Sequence, residues 1–356
     1  MPQRRSLTPK LLFMPKRKIK TAIAGLGRAG WNLHLKPMLA HGGYEVVAVT
    51  DPLEERCQEA TETLPGCAVF ESLEALLEKS DAELVVIATP SNTHFEDARR
   101  VILTGRDVIL EKPMSATYAE AVTLRDLAAI HGVRIFVHHV HLHRVEIRHL
   151  RSVIASGVLG PLFHIRTDWA YYGRRWDWQT LLKNGGGQLA NTGPHVLSIV
   201  LPLLGGEATV EHCELRNIKD AGDAEDFVRI VLTSSSGVTA DLTFSSATAL
   251  SGPRWQLLGK CGSLTSDGTT SKLKFYDEAS VPPIEVLDTA APGRAYLSET
   301  VPWEEKEIAV DEGTPVVTFH ENVWSVIAES AHQIVTLESA CEIARIIDAA
   351  KAKAGR

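Results

Sequence analysis

The stretch that decides the fold is Thr21-Ala22-Ile23-Ala24-Gly25-Leu26-Gly27-Arg28-Ala29-Gly30. Its first four residues form a short apolar run typical of a buried strand, and its last six form a Gly-x-Gly-x-x-Gly string. Glycines at this spacing let the backbone approach a pyrophosphate, whose charge is met by amide groups and by the positive end of the following helix. The stretch therefore predicts the first turn of a dinucleotide-binding βαβ unit, with an ordinary tight turn as the alternative.

Asp51 stands at the end of the next apolar run, at the separation from the glycines that a dinucleotide fingerprint requires. A carboxylate there can accept both ribose hydroxyls of NAD and repels the additional phosphate of NADP. Arg56 is close enough in sequence to neutralise that phosphate, so NADP remains the weaker alternative. We expect NAD as cofactor, bound by Gly25, Gly27, Arg28, Ala29, Gly30 and Asp51.

Short apolar runs alternate with longer segments of helical periodicity as far as residue 137. This alternation is typical of βαβ units and predicts a doubly wound parallel sheet, that is, a Rossmann domain of α/β class. The predicted strands are 21–24, 46–50, 68–70, 84–89, 108–110 and 133–137. The predicted helices are 53–64, 73–79, 95–103 and 118–131.

The pattern changes after about residue 138, and extended segments then predominate. The segments at 162–172, 210–218, 227–233, 238–244, 254–258 and 272–276 predict a second domain of α+β class with a large, mostly antiparallel open sheet. The turn Ser234-Ser235-Ser236-Gly237 predicts a hairpin, and helices are expected at 148–156, 321–330 and 337–350. The predicted organisation is a basic extension (1–18), a Rossmann domain (19–137) and a second domain (138–356).

Composition narrows the classes of protein. The 356 residues carry a net charge of −7, which offers no broad positive field for nucleic acid. The longest apolar run, 196–204, is too short to span a membrane. Five scattered cysteines without a Cys-x-x-Cys pair are typical of reduced thiols, and residues 1–18 lack the apolar core of an export signal. We therefore expect a cytoplasmic protein with no disulfide, no metal, no nucleic-acid partner and no membrane partner.

The tripeptide Glu111-Lys112-Pro113 follows a predicted strand directly. It therefore lies at the carboxyl edge of the parallel sheet, where open α/β folds bind their ligands. This position puts Lys112 beside the nicotinamide of a bound dinucleotide, although a surface lysine after a strand is the alternative.

Four motifs in this order and spacing resemble the Gfo/Idh/MocA oxidoreductase family, named for glucose–fructose oxidoreductase, inositol 2-dehydrogenase and rhizopine catabolism. They are the glycine string, the loop Ala88-Thr89-Pro90-Ser91-Asn92-Thr93-His94, Glu111-Lys112-Pro113, and Gly185-Gly186-Gly187 followed by Asn191-Thr192-Gly193-Pro194-His195. The resemblance implies a Rossmann domain, a second domain whose open sheet often mediates homodimers or homotetramers, and hydride transfer between nicotinamide and a sugar or cyclitol carbon. It places Thr89, Pro90, Asn92 and His94 around the cofactor, Glu111 near the nicotinamide ribose and Lys112 in the active site.

One position departs from the family pattern. Members commonly have an aspartate four residues before the histidine and another acidic residue after it, whereas this chain has Asn191, His195 and Ser198. With Thr192 as helix cap, Asn191 and His195 would lie close enough for the amide oxygen to orient the imidazole ring. A helix amino end disfavours the cation, so we expect His195 to be neutral and able to receive a proton.

The hypothesis is an NAD-dependent oxidoreductase in which an alcohol carbon gives up a hydride while His195 takes the hydroxyl proton and Lys112 binds the same oxygen. Catalysis is assigned to Lys112, His195 and Asn191, and substrate binding to His141, Tyr172 and Trp178. The expected substrate is a sugar, sugar acid, inositol or related polyol. Two alternatives remain: a redox-neutral hydrolase or lyase that retains NAD, and a non-catalytic NAD-binding regulator.

Overall fold

A computed structural model of the chain describes residues 17–219, 221–290, 296–310 and 316–356. The expected basic extension at 1–18 therefore lies almost entirely outside the described residues. Within them, no helix combines the length and apolar character needed to cross a membrane.

The first domain is built on a six-stranded parallel sheet in the order β3-β2-β1-β4-β5-β6. The strands are β1 (Ile19–Ala24), β2 (Tyr44–Thr50), β3 (Ala68–Val69), β4 (Leu84–Ile87), β5 (Asp107–Leu110) and β6 (Ile135–Val137). The helices are α1 (Lys36–His41), α2 (Glu54–Thr63), α3 (Leu73–Lys79), α4 (His94–Leu103) and α5 (Tyr118–His131). The predicted doubly wound sheet is confirmed, since each apolar run contributes a parallel strand; the central strands β1, β4 and β5 are largely buried, and the edge strand β3 is exposed.

The helix after the glycine string begins irregularly. Residues Ala29–Leu35 form a π-helix, and regular α1 starts only at Lys36. Pro37 has no N–H and stands in the first turn of α1, where a missing donor costs least. His34 projects from the π-helical segment into the core and is fully buried.

The second domain carries an eight-stranded sheet in the order β14-β13-β12-β11-β7-β10-β9-β8. The strands are β7 (Leu162–Ala170), β8 (Ala208–Arg216), β9 (Phe227–Ser234), β10 (Thr239–Ser245), β11 (Trp255–Gly259), β12 (Gly262–Ser266), β13 (Thr270–Phe275) and β14 (Glu304–Ala309). The helices are α6 (Val145–Ala155), α7 (Gln188–Asn191), α8 (Gly193–Leu204), α9 (Phe319–Glu329) and α10 (Leu337–Lys353). Only β7 and β10 pair in parallel, and β9 and β10 form the predicted hairpin.

Helices α6, α8 and α10 pack against one face of this sheet and form its core with the inward side chains of β7, β9 and β10. Along β9, buried residues alternate with partly exposed ones, so the opposite face of the sheet is open. This confirms the expected large open sheet. Strands β12 and β14 were not predicted, because one is short and rich in small polar residues and the other is charged and wholly exposed.

Helix α9 does not pack with the rest of the second domain. Its residues Phe319, Val323 and Trp324 complete the core of the parallel sheet beside Ile19 and Met38. Part of the chain after residue 138 therefore packs with the first domain, whereas the sequence predicted that the second domain includes all residues from 138 onward. The chain crosses between the two domains more than once.

Candidate active site

The glycine string lies at the carboxyl edge of the parallel sheet, between β1 and the π-helical segment. Gly25 has φ +91°, and a Cβ there would meet the carbonyl oxygen of Ala88 at 2.5 Å. A Cβ on Gly30 would meet the Gly25 carbonyl oxygen at 1.8 Å. Gly27 differs, because the only neighbour of its missing Cβ is the end of the Arg56 side chain at 3.7 Å. Two glycines thus let the turn close, and the third leaves its surface open to a ligand.

Asp51 ties the end of β2 to this loop. Its carboxylate accepts hydrogen bonds from the Leu26 N–H at 2.7 Å and the Leu53 N–H at 2.9 Å, and Arg56 Nη1 lies 3.3 Å away. Three of the roughly four acceptor positions of a carboxylate are therefore occupied within the protein. Asp51 has capacity for about one ribose hydroxyl, where the sequence led us to expect two.

The side chains of Asp97 and His94 hold the loop after β4 in place. Thr89 and Thr93 both donate hydrogen bonds to Asp97 Oδ2 at 2.7 Å. The buried His94 ring lies between the carbonyl oxygens of Pro113 and Thr89, at 2.7 and 3.0 Å. Because its ring nitrogens face these carbonyls, His94 joins two loops of the cofactor edge. Pro90 precedes the 3₁₀ turn Ser91–Thr93, which carries Asn92.

Lys112 bridges the two domains. Its Nζ donates hydrogen bonds to Asn191 Oδ1 at 2.8 Å and to the Asn191 carbonyl oxygen at 3.0 Å. The third N–H of the ammonium group has no partner among the described residues. The expected bond between Asn191 and the His195 ring is not formed, because Lys112 takes the amide oxygen. Thr192 is also not a side-chain cap, since its hydroxyl bonds to the Gln188 side chain instead.

The electrostatic surroundings of Lys112 favour a weakly held proton. Burial lowers the pKa of Lys112 from its usual value, and the positive charges of Arg28 and Arg175 lower it further against the opposing effect of Glu111. Arg175 lines the same small pocket as Asn191. With asparagine in place of aspartate, no carboxylate contacts the ammonium group within the described chain.

Replacing Asn191 with Asp is therefore expected to raise the pKa of Lys112, since it puts a negative charge within 3 Å of Nζ. If the protonated amine is required, activity falls as pH rises through the pKa of Lys112. In the Asp variant this fall should occur at higher pH. The measurement is the pH profile of kcat/KM. Asn191→Leu, which removes the hydrogen bond without adding charge, is the control, and an alkaline limb unmoved by the Asp variant would contradict this role of Asn191.

Glu111 turns away from the open cleft into a buried histidine cluster. Its Oε1 accepts hydrogen bonds from His34 Nε2 at 3.1 Å and His138 Nδ1 at 2.7 Å, while Oε2 accepts from the Lys112 N–H. His34 Nδ1 in turn lies 3.2 Å from His320 Nε2. Three hydrogen bonds inside the protein already use this carboxylate, and the expected contact between Glu111 and the nicotinamide ribose stays a prediction. The carboxylate is used inside the protein, directly behind Lys112.

The protonation states of this cluster follow from its bonds. Burial and the neighbouring His138 lower the pKa of His34 to about 4. A neutral His34 then donates through Nε2 to Glu111 and accepts through Nδ1 from His320. Burial alone would raise the pKa of Glu111, but the hydrogen bonds and charges of His138 and His34 hold it well below its usual value.

Two imidazoles and a carboxylate are also metal ligands, and His34, Glu111 and His138 do cluster. Tetrahedral zinc with bonds of about 2.0 Å separates its ligand atoms by about 3.3 Å. The 2.7 Å between His138 Nδ1 and Glu111 is shorter and suits an N–H···O bond. This geometry favours a hydrogen-bonded network, and a metal-free protein remains the prediction.

His195 lies one turn beyond Asn191 on α8. Its ring stacks edge-on against His141, with centroids 4.4 Å apart, and His141 contacts Trp169 in the same way at 5.0 Å. Burial and then the Lys112 charge hold the pKa of His195 well below its usual value, in the direction of the expected neutral ring. Buried polar atoms without a partner within the described chain line this row: His195 Nδ1, His141 Nδ1 and Trp169 Nε1.

The other two expected substrate residues are placed differently. Tyr172 and Trp178 are 58% and 41% exposed and make no ring contact with His141 or His195 in the described structure. The aromatic side chain in contact with His141 is Trp169, which sequence reasoning missed, and substrate binding by Tyr172 and Trp178 stays a prediction. An inward position in β7 was the available signal, but the partners of Trp169 come from distant parts of the chain.

A cavity of about 560 Å³ lies between the domains behind Pro113. Asn92 and the buried His139 contribute to its wall, and the apolar stripe of α10 forms its floor through Ile343 and Ile347. Lys112 and His195 do not line this cavity. The cavity therefore adjoins the part of the cleft that holds these two residues and is separate from that part.

The lowered histidine pKa values predict a loss of stability in acid. Burial lowers the pKa of His34 to about 4 and those of His139 and His141 to about 3, whereas in the unfolded chain these rings take up protons near pH 6.5. The unfolded state then binds more protons, so the free energy of unfolding falls as pH decreases below about 6.5. Thermal unfolding followed between pH 7 and 4 measures this, and His34→Gln should show a shallower slope. His131→Gln, at the end of α5, should keep the slope of the unmodified protein; equal slopes in all three would contradict the assignment.

These features fit a dinucleotide. The open surface at Gly27, the carboxylate at the end of β2 and the partly buried amine at the end of β5 lie along one sheet edge. Gly25, Gly27, Gly30, Asp51 and Thr89 would hold the cofactor there.

Relatives and solved structures resemble the chain over nearly its whole length. Scyllo-inositol 2-dehydrogenase (NADP(+)) IolW of Bacillus subtilis is 26% identical over 93% of this chain and 92% of the relative. The dTDP-3,4-didehydro-2,6-dideoxy-alpha-D-glucose 3-reductase of Streptomyces violaceoruber is 28% identical over 70% and 73%. An NAD-binding protein from Listeria innocua shares the fold, with a TM-score of 0.80, 22% identity and 95% of both chains covered.

Family models match both domains. Residues 19–139 match the oxidoreductase family with an NAD-binding Rossmann fold, and residues 147–265 match the GFO/IDH/MocA C-terminal domain. Together the matches cover well over half of the chain. The chain therefore belongs to the GFO/IDH/MocA family of NAD(P)-dependent oxidoreductases.

Proposed function

We propose that the protein interconverts a CH–OH group and a carbonyl on a sugar, sugar acid, inositol or related polyol, with NAD preferred over NADP. The observation that carries the proposal is the position of Lys112. Its Nζ is fixed by Asn191 at the carboxyl edge of the parallel sheet, with one N–H left for a substrate oxygen. His195, whose pKa is held well below its usual value, lies one helical turn beyond Asn191.

In the oxidation, the alcohol carbon loses a hydride and the hydroxyl loses a proton, which yields a carbonyl. The nicotinamide supplies the hydride acceptor, or the donor in the reverse direction. Lys112 donates a hydrogen bond to the substrate oxygen and stabilises the negative charge that develops there. His195 receives the proton as general base, Asn191 keeps the amine in place, and Glu111 holds the backbone N–H of Lys112.

Relatives support this substrate class. IolW is named for an inositol, and the Streptomyces enzyme for a deoxysugar carried on dTDP. Their cofactors differ, since IolW is named with NADP(+) whereas a structure of WlbA from Bordetella pertussis contains NADH. The preference for NAD in this chain therefore depends on Asp51.

A panel of neutral and acidic sugars and cyclitols, each with NAD and with NADP, tests the proposal by the absorbance of the reduced cofactor. Turnover of at least one member is expected, with a rate that depends on Lys112. Tight cofactor binding without turnover on any member would instead support the non-catalytic regulator.

One relative favours a second candidate. The 2,7-anhydro-N-acetylneuraminate hydratase of Mediterraneibacter gnavus is 29% identical over 64% of this chain. A redox-neutral reaction of this kind would use the same Lys112 and His195 to oxidise a hydroxyl transiently. Product formation without net NADH would identify it, and net NADH would exclude it.

Replacing Asp51 with Asn is expected to shift cofactor preference toward NADP by at least about tenfold. Asn retains an oxygen for the Leu26 N–H but removes the charge that repels the additional phosphate, and Arg56 is then free to bind that phosphate. The measurement is the ratio of the Kd values for NADH and NADPH. Asp81→Asn, at the opposite end of the sheet, should leave the ratio unchanged, and an unchanged ratio in the Asp51 variant would contradict the proposed preference.

We also propose that the protein forms a homodimer or homotetramer through the open sheet face and resides in the cytoplasm. The open sheet face supports the assembly. The five free cysteines support the compartment, because thiols stay reduced in the cytoplasm. Light scattering tests the assembly, and fractionation tests the compartment.

A further inference from the structure

The row of rings at His195 continues beyond Trp169 to a fixed arginine. The guanidinium carbon of Arg254 lies 4.0 Å from the centroid of the Trp169 ring. Arg254 Nε donates to Glu146 Oε1 at 2.9 Å, and the same oxygen also accepts from the Trp255 indole. Glu146 is itself buried. One edge of the guanidinium is thus anchored and one face is stacked, so its orientation is fixed.

The remaining nitrogens of Arg254 are available to a ligand. Neither Nη atom has a hydrogen-bond partner among the described residues. Arg144, at the start of α6, is exposed and likewise unpaired in the described structure. Arg144 directly follows the 3₁₀ turn Val140–His143, which carries His141, and after burial the charges of Arg144 and Arg254 lower the pKa of His141.

The described carboxylates near this row form bonds within the protein. Glu111 is enclosed by His34 and His138, and Glu146 anchors Arg254. At the reacting end Lys112 has a free N–H, while Arg175 is paired with Asp177. A ligand that spans the row therefore meets neutral rings in its middle, Lys112 at one end and the unpaired guanidinium nitrogens of Arg254 at the other.

We propose that the substrate is a sugar bearing an anionic oxygen group, which Arg254 and Arg144 bind while the reacting alcohol lies at Lys112 and His195. Trp169 Nε1, buried and without a partner in the described chain, donates to the same group or to a neighbouring hydroxyl. Phosphate and carboxylate share the required chemistry, because both accept paired hydrogen bonds from a guanidinium. This inference rests on the proposed function, since it names the substrate class of the same site.

The test measures binding separately from turnover. Protein saturated with NADH is titrated with glucose, glucose 6-phosphate, glucuronate and UDP-glucose, and Kd is read from tryptophan fluorescence. We expect at least one charged probe to bind more tightly than glucose, and Arg254→Gln to weaken that probe about 10- to 100-fold while leaving glucose unchanged. The charged probe whose Kd changes in Arg254→Gln shows whether the anion comes from a phosphate ester, a carboxylate or a nucleotide diphosphate.

Further variants guard against a general loss of structure. Arg144→Gln removes a surface charge without disturbing Glu146 and should weaken the charged probe severalfold. Trp169→Phe keeps the ring and removes its N–H. Arg125→Gln, on the surface of α5, removes an equal charge and should change nothing. Glucose binding as tightly as every charged probe, or charged probes indifferent to Arg254 and Arg144, would overturn the proposal.

The outcomes also separate this inference from the proposed function. Arginine-dependent binding without hydride transfer on any probe would refute the function and keep the anionic subsite. Turnover of neutral polyols, together with charged probes that bind no more tightly than glucose, would refute the subsite and keep the function.

Discussion

Lys112→Ala is expected to lower kcat by about 10²–10⁴-fold while the Kd for the cofactor stays nearly unchanged. The ammonium group is the only described donor fixed by Asn191 at the carboxyl edge of the sheet, so its removal leaves the developing negative charge on the substrate oxygen unsupported. Alanine also frees the Asn191 side chain, which can then bind substrate but cannot supply a positive charge. Steady-state rates with the best substrate of the panel, together with fluorescence titration of NADH, separate the two quantities.

Lys112→Arg is the matched control for charge. Arginine keeps the positive charge, but its planar guanidinium cannot reproduce the two bonds of Nζ to a single residue, so partial activity is expected. Full activity in the alanine variant would remove Lys112 from the mechanism, and loss of cofactor binding would make it a binding residue instead.

His195→Ala should cause a loss of kcat of similar size, about 10²–10⁴-fold, because it removes the proposed general base. The effect should be pH-dependent. Since the pKa of His195 is held well below its usual value, the neutral ring is present throughout the neutral range, and the unmodified enzyme should keep its activity down to mildly acidic pH. In the variant, hydroxide or another solution base replaces the ring, so the rate of alcohol oxidation should rise with pH.

His131→Ala is the control for the loss of an imidazole at a site remote from the cleft. Rescue of the His195 variant by added imidazole would support proton transfer directly. A variant with nearly full rate at all pH values would instead assign the proton to Lys112 alone.

The parallel sheet could be predicted from the sequence because its central strands are buried on both faces and therefore appear as continuous apolar runs. The predicted runs 21–24, 84–89 and 108–110 put the loops that follow them on one edge, where the structure has the glycine string and Lys112. Strand β14 could not be found in this way. It is held by pairing with β13 and by exposed ion pairs such as Lys274 with Glu305, and neither leaves an apolar pattern.

The interior of the site was less predictable, because its contacts join distant residues. Asn191 was expected to orient His195, its neighbour on the helix, but Lys112 from the other domain competes for the same oxygen. Glu111 was assigned to the cofactor, although two buried histidines claim its carboxylate. The stacking of Arg254 on Trp169 depends on the register of β11 against β7, which local sequence does not specify.

The return of α9 to the parallel sheet has a consequence for the behaviour of the whole molecule. A fragment that ends at Val137 would lack Phe319, Val323 and Trp324 and would expose the groove that they fill. The two lobes are therefore joined by a shared core as well as by the chain that connects them.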